Sequence, residues 1–400
     1  MSLGSNLSAA LRPLVGVLAA TALAAPATLP AQTSGARRMP AHRAVPATAH
    51  AAAKPRYVGI WEPVSYSEDI GLDAAFFVNR DTGWVAGAGG TILKTTDGGA
   101  HWTAQVGGDP RASDPPLRNL RFADATHGWA VAGYGEQLYR TSDGEHWETV
   151  GPMPHDGSRL YQDYTFTSPS TGFALAYNHI YATHDGGKTW TPAFACSAKV
   201  QANGLTKNTD CQLISLQFPS PRVGFAIGGS RDVPTKVFFA RTQDGGATWT
   251  LQVVDDLSIE DQFRGPTATL RFVDETHGMF VAPGGRAFAT SDGGASWHGS
   301  PGTVTSYEVA FADAQVGWTI DDHGRMSYTS DGGNRWLSAG LNFPAYVRGF
   351  AFPRRDRAYV VGEHGMVFRY RVVRVEDAPA KAARGPAMPL AAPGDGHDRR

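Results

Sequence analysis

A short glycine-rich box recurs six times in this 400-residue chain, from Thr95-Thr-Asp-Gly-Gly-Ala-His-Trp102 to Thr329-Ser-Asp-Gly-Gly-Asn-Arg-Trp336. Its aspartates are separated by 46, 42, 59, 48 and 39 residues. Short β-type segments lie between the boxes, and such a period is typical of a radial array of four-stranded blades. We therefore predict an all-β protein, a β-propeller of four-stranded antiparallel blades. The fold alone does not decide the function, because propellers include both enzymes and binding scaffolds.

The first repeat shows how one blade is built. Strand A is predicted to end near Phe77, strand B to start at Trp84 and strand C to cover Thr91–Thr95, with the box as the turn into strand D at Trp102. Glycines supply positive φ in the turn, an aspartate accepts backbone N–H groups, and a tryptophan adds apolar area. We therefore interpret the box residues as structural. They are Asp97, Trp102, Asp143, Trp147, Asp185, Trp190, Asp244, Trp249, Asp292, Trp297, Asp331 and Trp336.

A seventh repeat, from Phe352 to Tyr370, supplies strands A to C and has no box. Its strand D is predicted at the other end of the chain, where Trp61 follows Tyr57-Val-Gly-Ile in the place of a box tryptophan. An N-terminal strand that completes the last blade closes the ring and removes exposed sheet edges. The prediction is a seven-bladed propeller over residues 57–373.

The two ends of the chain differ in composition from the repeats. Residues 1–31 contain Arg12, an apolar stretch and small residues, as in a secretory signal peptide; the alternatives are a retained anchor or a disordered start. The apolar stretch is too short to span a bilayer, so no transmembrane segment is expected in the mature chain. Residues 32–56 are predicted to be an Ala/Pro-rich linker and residues 374–400 a disordered tail. We therefore expect an exported protein, periplasmic or extracellular.

Charge and cysteine content narrow the function further. The net charge of −1 gives no reason to expect nucleic acid as a partner. The two cysteines, Cys196 and Cys211, both lie between the third box and the fourth blade. In an exported chain they are expected to form a disulfide; two free thiols are the alternative.

Strand alternation places the A–B turns and the boxes on one face of the ring, which we call the box face. The B–C loops and D–A connections form the opposite, variable face, where binding is expected because loops vary on a rigid scaffold. Arginines from several repeats are assigned to the variable face. We expect them to form a cationic patch that binds a protein partner. The alternative is that nearby acidic residues, among them Asp163 and Asp321, neutralise them. The candidate partner-binding residues are Arg118, Arg121, Arg264, Arg271 and Arg348.

No residue pattern predicts a catalytic centre, a metal or a cofactor. Asp-Gly-Gly lacks the alternating oxygen donors of a calcium loop. His127 and His277 lie at matching A–B turns, where turn geometry explains them, and His323 and His364 have no spaced partner. A Gly-x-Ser-x-Gly elbow and a P-loop are absent from the sequence.

Residues 57–373 resemble Asp-box (BNR) propellers. The fuller pattern, Phe–x5–Gly-Trp followed by Val-x-Gly, Gly-x-Ile-Leu-x-Thr and the box, is most similar to the photosystem II assembly and stability factor family and its bacterial relatives. The resemblance implies a seven-bladed, non-enzymatic propeller that contacts a protein through arginines. We expect the chain to be a monomer. By analogy, Arg121, Arg271 and Arg348 are the candidates here.

A secreted Asp-box glycoside hydrolase, similar to sialidases or xyloglucanases, is the alternative. Phe263-Arg-Gly-Pro266 is an incomplete sialidase motif, and Tyr307 and Glu308 are neighbours that point to opposite sides of a strand. An inverting hydrolase needs two facing carboxylates about 6.5–9.5 Å apart. Asp163, Asp256 and Asp321 are the residues that would supply them.

Overall fold

The computed structural model describes residues 57–155, 161–202, 204–233, 236–254, 269–282, 286–303, 308–321, 324–377 and 383–385. The chain divides into two compact units, Met1–Ala53 and Lys54–Arg400, and every described residue lies in the second. These residues form β-strands and turns, with a single 3-10 turn at Val375–Asp377 among the parts of the chain described.

Each blade is an antiparallel sheet whose strands are designated A to D from the axis outward. The A strands are β2 (Leu72–Phe77), β6 (Leu117–Phe122), β10 (Tyr161–Phe166), β16 (Gln212–Gln217), β20 (Thr269–Phe272), β24 (Glu308–Phe311) and β28 (Val347–Arg354). The B strands are β3 (Gly83–Gly87), β7 (Gly128–Ala132), β11 (Gly172–Ala176), β17 (Gly224–Gly229), β21 (Gly278–Val281), β25 (Gly317–Ile320) and β29 (Arg357–Gly362). The C strands are β4 (Thr91–Thr95), β8 (Gln137–Thr141), β12 (His179–Thr183), β18 (Val237–Thr242), β22 (Arg286–Thr290), β26 (Met326–Thr329) and β30 (Val367–Arg374). The D strands are β5 (Thr103–Val106), β9 (Trp147–Gly151), β13 (Thr191–Ala195), β19 (Thr250–Val254), β23 (His298–Thr303), β27 (Leu337–Ser338) and β1 (Tyr57–Pro63).

The ring is closed by strands from both ends of the propeller. Neighbouring A strands contact one another around the whole ring, including β28 against β2. Strand β1 pairs with β30 over seven residue pairs and places Trp61 opposite Tyr370 in the seventh blade. The predicted seven blades and the closing N-terminal strand are therefore confirmed.

Two segments depart from the plain repeat. Strands β14 (Ser197–Ala202) and β15 (Leu205–Asp210) form a separate hairpin between the third and fourth blades. Strand β31 (Ala383–Gly385) pairs with β1 and gives the seventh blade a fifth strand. Strand β31 and residues 374–377 lie within the segment 374–400 that the sequence analysis predicts to be a disordered tail. Backbone pairing with β1 supplies order that the composition of the tail does not predict.

Aromatic residues pack the blades against one another. Trp129 in strand B of the second blade stacks on Phe166 of the third, with ring centroids 3.7 Å apart and planes 1° apart. Phe225 and Phe272 repeat this contact between the fourth and fifth blades at 3.8 Å. Phe166 also covers Gly172, the first residue of strand B in the same blade, since a Cβ on Gly172 would stand 2.5 Å from the Phe166 ring. This explains the Phe–x5–Gly spacing of the sequence.

Candidate partner-binding site

Backbone hydrogen bonds define the two faces of the ring. On the box face, Gly98 N of the first box donates to Asp81 O in the A–B turn, and Gly186 N donates to Ser170 O in the third blade, each at 2.8 Å. On the variable face, the B–C loop meets the start of strand A, as Gly133 N donates to Pro116 O at 3.0 Å. Each box is therefore built into its own blade on the side away from the irregular loops.

Local hydrogen bonds hold the first box together. Thr95 Oγ1 donates to Asp97 Oδ1 at 2.9 Å and accepts from Gly99 N at 2.8 Å. Asp97 Oδ1 also accepts from His101 N at 2.9 Å. The later boxes repeat the threonine–aspartate bond, with Thr242 to Asp244 at 2.8 Å and Thr329 to Asp331 at 2.8 Å. A carboxylate that accepts several hydrogen bonds is stabilised in its charged form.

The box aspartates titrate accordingly. The backbone N–H of His101 lowers the pKa of Asp97 to about 2, against burial, which raises it. The hydroxyl and backbone N–H of Thr248 lower the pKa of Asp244 to about 2. All of these donors lie within the same turn, so the geometry is that of a turn lock. Among the described residues, none forms a cluster of three or more potential metal ligands.

The box tryptophans are only half-buried, whereas three tryptophans of strand B are fully buried. Trp84, Trp129 and Trp318 have no exposed surface. Trp84 Nε1 donates to Gly144 O and Trp129 Nε1 to Gly186 O, each at 3.2 Å, so each indole binds the box of the next blade. The strand-B tryptophans are thus buried more completely than the box tryptophans to which the sequence analysis assigns the apolar area of the turn. The Gly-Trp dipeptide at the start of strand B was the available signal.

Arg121 and Arg271 do not lie on the variable face. Each precedes the phenylalanine of the Phe–x5–Gly spacing in strand A, and both line a cavity of about 520 Å³ in the central channel, together with A–B turn residues such as Ser220 and Pro221. Strand A runs from the variable face to the box face, so the penultimate residue is near the box face. Both arginines therefore line one channel, nearer the box face than the variable face to which the sequence analysis assigns them.

Both channel arginines bridge blades. Arg121 Nη2 donates to Asp163 Oδ1 of the third blade at 3.4 Å, and Arg271 Nε donates to Val309 O of the sixth at 3.1 Å. Asp163 is buried and accepts from Leu216 N of the fourth blade at 2.9 Å. Ser215 Oγ then accepts from Leu270 N of the fifth blade at 3.2 Å. A belt of hydrogen bonds thus joins five consecutive blades around the channel.

Arg118 and Arg348 meet at a groove on the variable face. Arg118 Nε donates to Asp73 Oδ2 at 3.1 Å, and Arg348 Nη1 lies 3.6 Å from Asp73 Oδ1. Arg348 Nη2 also donates to Glu363 Oε1 at 2.8 Å, which raises the pKa of Arg348. The cavity, about 440 Å³, is lined by Asp69, Gly71, Asp73, Ala88, Pro116, Arg118, Arg348, Glu363 and His364. We call it the Asp73 groove.

β-Bulges position the residues of this groove. The pairing register shifts between Leu72 and Ala74 in strand A of the first blade, and between Val347 and Gly349 in strand A of the seventh. The extra residues are Asp73 and Arg348. A bulge leaves one residue unpaired and re-aims its side chain. The sequence does not signal these bulges, because nothing in the repeat pattern separates a bulged strand from a regular one.

Apolar rings lie beside the charged groups of the Asp73 groove. Tyr134 in the B–C loop of the second blade is 66% exposed, and the guanidinium of Arg118 stands 5.6 Å from its ring centroid. Tyr346, next to β28, is 43% exposed. Exposed tyrosines and arginines are enriched at protein interfaces.

A further cavity, of about 970 Å³, lies at the β14–β15 hairpin. A disulfide joins Cys196 and Cys211 at the hairpin base, with the two Cα atoms 5.5 Å apart and both side chains buried. Thr209 Oγ1 and Ser230 Oγ are 2.7 Å apart and tie the hairpin to the B–C loop of the fourth blade. The lining includes Lys199, Asp210 and Arg231, so the cavity is polar and carries both signs of charge.

The remaining candidates are either held by local partners or lie outside the described residues. Asp321 Oδ2 accepts from Arg325 Nε at 2.6 Å, and Asp163 belongs to the channel belt, so both carboxylates have structural partners. His127 and His277 each pair through Nδ1 with the aspartate three residues earlier, at 2.9 Å, as turn geometry predicts. His364 Nδ1 lies 2.7 Å from Asp69 Oδ1. The other candidates lie outside the described residues; they are Asp256, Phe263–Pro266 with Arg264, Tyr307 and His323.

Comparison with known proteins agrees with this architecture. The family model described as photosynthesis system II assembly factor YCF48 matches residues 56–193, which cover the first two blades and most of the third. The chain is a BNR-type propeller that resembles this family. The photosystem II assembly lipoprotein Ycf48 of Synechococcus sp. (strain CC9902) is 23% identical over 130 residues, 32% of this chain. The match spans 39% of the length of that relative.

Solved structures show the same fold. A structure of YCF48 bound to D1 peptide is 19% identical to this chain, with a TM-score of 0.56. The alignment covers 78% of this chain and 96% of that chain. YCF48 from Cyanidioschyzon merolae has a TM-score of 0.58 and 20% identity, and its alignment covers 78% of this chain and 98% of that chain. Virginiamycin B lyase from Staphylococcus aureus has a TM-score of 0.55 at 11% identity, and its alignment covers 79% of this chain and 100% of that chain. The similarity extends to both binding proteins and enzymes, and at these identities it concerns the fold alone.

Proposed function

We propose that this chain is an exported, non-catalytic propeller that binds a segment of a partner protein on its variable face, at the Asp73 groove. The observation that carries the proposal is the convergence of Arg118 and Arg348, from the second and seventh blades, on Asp73 of the first. Three A strands contribute to one charged groove, and two bulges direct its side chains.

The chemistry of the groove favours a peptide over a small neutral ligand. Arg118 and Arg348 are 35% and 41% exposed along their side chains, so a partner carboxylate can reach them while Asp73 keeps them in place. Glu363 and Asp69 offer acceptors for backbone N–H groups at the rim. Tyr134 and Tyr346 supply exposed rings on which a partner side chain can pack.

Two further observations support a role in protein assembly. The resemblance to the Ycf48 family supports a protein partner, since one of the similar solved structures is YCF48 bound to D1 peptide. The signal-like residues 1–31 and the Cys196–Cys211 disulfide support export, as does the name lipoprotein carried by the curated relative. None of the described residues belongs to a helix long and apolar enough to cross a membrane.

The test is affinity capture from the envelope of the native host, with arginine variants of the full chain as bait. Arg118→Glu and Arg348→Glu are expected to reduce recovery of the partner at least about tenfold, since they place negative charge beside Asp73. Residual binding should also depend less on salt. Arg222→Glu, an exposed position in an A–B turn on the box face, is the matched control and should leave recovery unchanged.

Arg121→Glu and Arg271→Glu form a separate arm, which tests the proposed contribution of the channel arginines. Loss of partner only in this arm would move the binding site to the channel. Equal recovery by all variants would refute the groove. Hydrolysis of a sialoside or a β-glucan by the purified chain, abolished by a single carboxylate substitution on the variable face, would refute a non-catalytic role.

A further inference from the structure

The outer edge of the seventh blade is covered by the chain's own C-terminal segment. Gly59, Ile60 and Trp61 of β1 pair antiparallel with Gly385, Arg384 and Ala383 of β31. In the other six blades, the described residues place no strand outside strand D. The fifth strand is therefore specific to the blade in which the ring closes.

Within the described residues, the strand beneath this cover, β1, is the longest of the seven D strands. Strand β1 has seven residues, whereas the other D strands have two to six. An edge strand presents unpaired N–H and C=O groups to any extended chain, and the hazard grows with a long, flat edge. Strand β31 has three residues and covers part of that edge.

Charge on β1 does not oppose its pairing with an identical strand. Its single ionisable acid, Glu62, accepts from Arg371 Nε at 2.7 Å and from Arg369 Nε at 3.0 Å. These bonds hold the pKa of Glu62 below its usual value, although burial acts to raise it. The acid is therefore neutralised within its own blade, and like-charge repulsion between two copies of β1 is weak.

We propose that residues 383–385 cap a strand-accepting edge on β1, and that the uncapped edge pairs antiparallel with β1 of a second copy of this chain. Antiparallel pairing of two identical edges is compatible with a twofold axis, so the contact closes as a dimer. The recognition is by backbone hydrogen bonds, as in other strand-addition complexes.

Two truncations of the full chain separate the cap from the rest of the tail. One ends after Asp377 and removes β31; the matched control ends after Gly385 and keeps it. The shorter chain is expected to dimerise at least about tenfold more tightly than the full chain by sedimentation equilibrium. The chain that ends after Gly385 should remain as monomeric as the full chain. Equal behaviour of both truncations would overturn the proposal.

A full-length variant tests the same point without truncation. Arg384→Pro removes a backbone N–H from β31 and disfavours a ladder position, whereas Ala391→Pro lies beyond that strand. Of these two variants, only Arg384→Pro is expected to dimerise. In its monomeric fraction, hydrogen exchange at the β1 amides should be faster than in the monomer of the unmodified chain. A synthetic peptide of residues 380–388 should return the chain ending after Asp377 to monomer. A monomeric Arg384→Pro variant, or a dimer that ignores the peptide at saturating concentration, would overturn the proposal.

Discussion

The ring of Tyr359 stacks on the ring of Phe77, with centroids 3.5 Å apart and planes 2° apart. Tyr359 is fully buried, and its Oη donates to Arg80 O at 2.7 Å. Tyr359 belongs to the last blade and Phe77 to the first, so this pair joins the ends of the ring. It repeats, at the point of closure, the contact that Trp129 makes with Phe166 inside the ring.

Removal of this closing contact is expected to destabilise the whole propeller. Tyr359→Ala should lower the free energy of unfolding by about 3–5 kcal/mol, as for other buried aromatic residues. Tyr359→Phe keeps the stacking, loses one hydrogen bond and should cost about 1 kcal/mol. Urea unfolding followed by tryptophan fluorescence measures both. Equal losses in the two variants would show that the hydroxyl, rather than stacking, holds the closure.

The strand-B tryptophans are expected to contribute more stability than the box tryptophans. Trp129→Ala removes a fully buried indole that stacks on Phe166 and donates to Gly186 O, and it should cost about 3–5 kcal/mol. Trp190→Ala, in the half-buried box position of the neighbouring blade, should cost less, because part of that ring already contacts water. Thermal and urea unfolding of the pair decide the order. A larger loss of stability in Trp190→Ala than in Trp129→Ala would contradict this prediction.

A side chain at the first residue of strand B is expected to be poorly tolerated. In Gly172→Ala, the new Cβ would stand 2.5 Å from the Phe166 ring, and the overpacking should cost about 1–3 kcal/mol. Gly151→Ala is the matched control, since its nearest neighbour, Lys188 O, lies 3.9 Å away. The difference in melting temperature between the two variants is the measurement. Equal stability would mean that Phe166 has room to move.

The second box contains a histidine whose titration reports on the fold. The side-chain hydrogen bond to Asp143 raises the pKa of His146 above its usual 6.5. A raised pKa stabilises the folded state below the unfolded-state value near 6.5, and this contribution is lost as pH rises through the folded-state value. An NMR titration should give a pKa above 6.5, and Asp143→Asn should return it toward that value. An unchanged pKa in Asp143→Asn would exclude this pairing as the cause.

The hairpin disulfide is expected to stabilise the chain. Cys196 and Cys211 close a loop with a sequence separation of 15, worth about 3 kcal/mol in the chain-entropy model. Reductant should therefore lower the free energy of unfolding of the native chain but not that of Cys196→Ser/Cys211→Ser. Titration of two free thiols per chain under native, non-reducing conditions would refute the bridge.

The repeat architecture was predictable because it depends on local interactions. A box is held by Thr95, Asp97 and His101, all within one turn, so the same few residue types must recur wherever the turn recurs. The missing seventh box and the position of Trp61 then predicted the closing strand. Phe166 and Gly172 also had to keep their spacing, because they touch across one hairpin.

The sequence by itself thus determined the seven blades, the closure, and the sorting of turns and loops onto two faces. Only the tertiary structure decided which side chains share a site. Asp73 and Arg348 face one groove because bulges shift their strands, and Arg121 lies in the channel because it is one residue from the end of strand A. β31 was likewise invisible in the tail composition. Register shifts and cross-blade contacts join residues distant in sequence, and no local pattern encodes them.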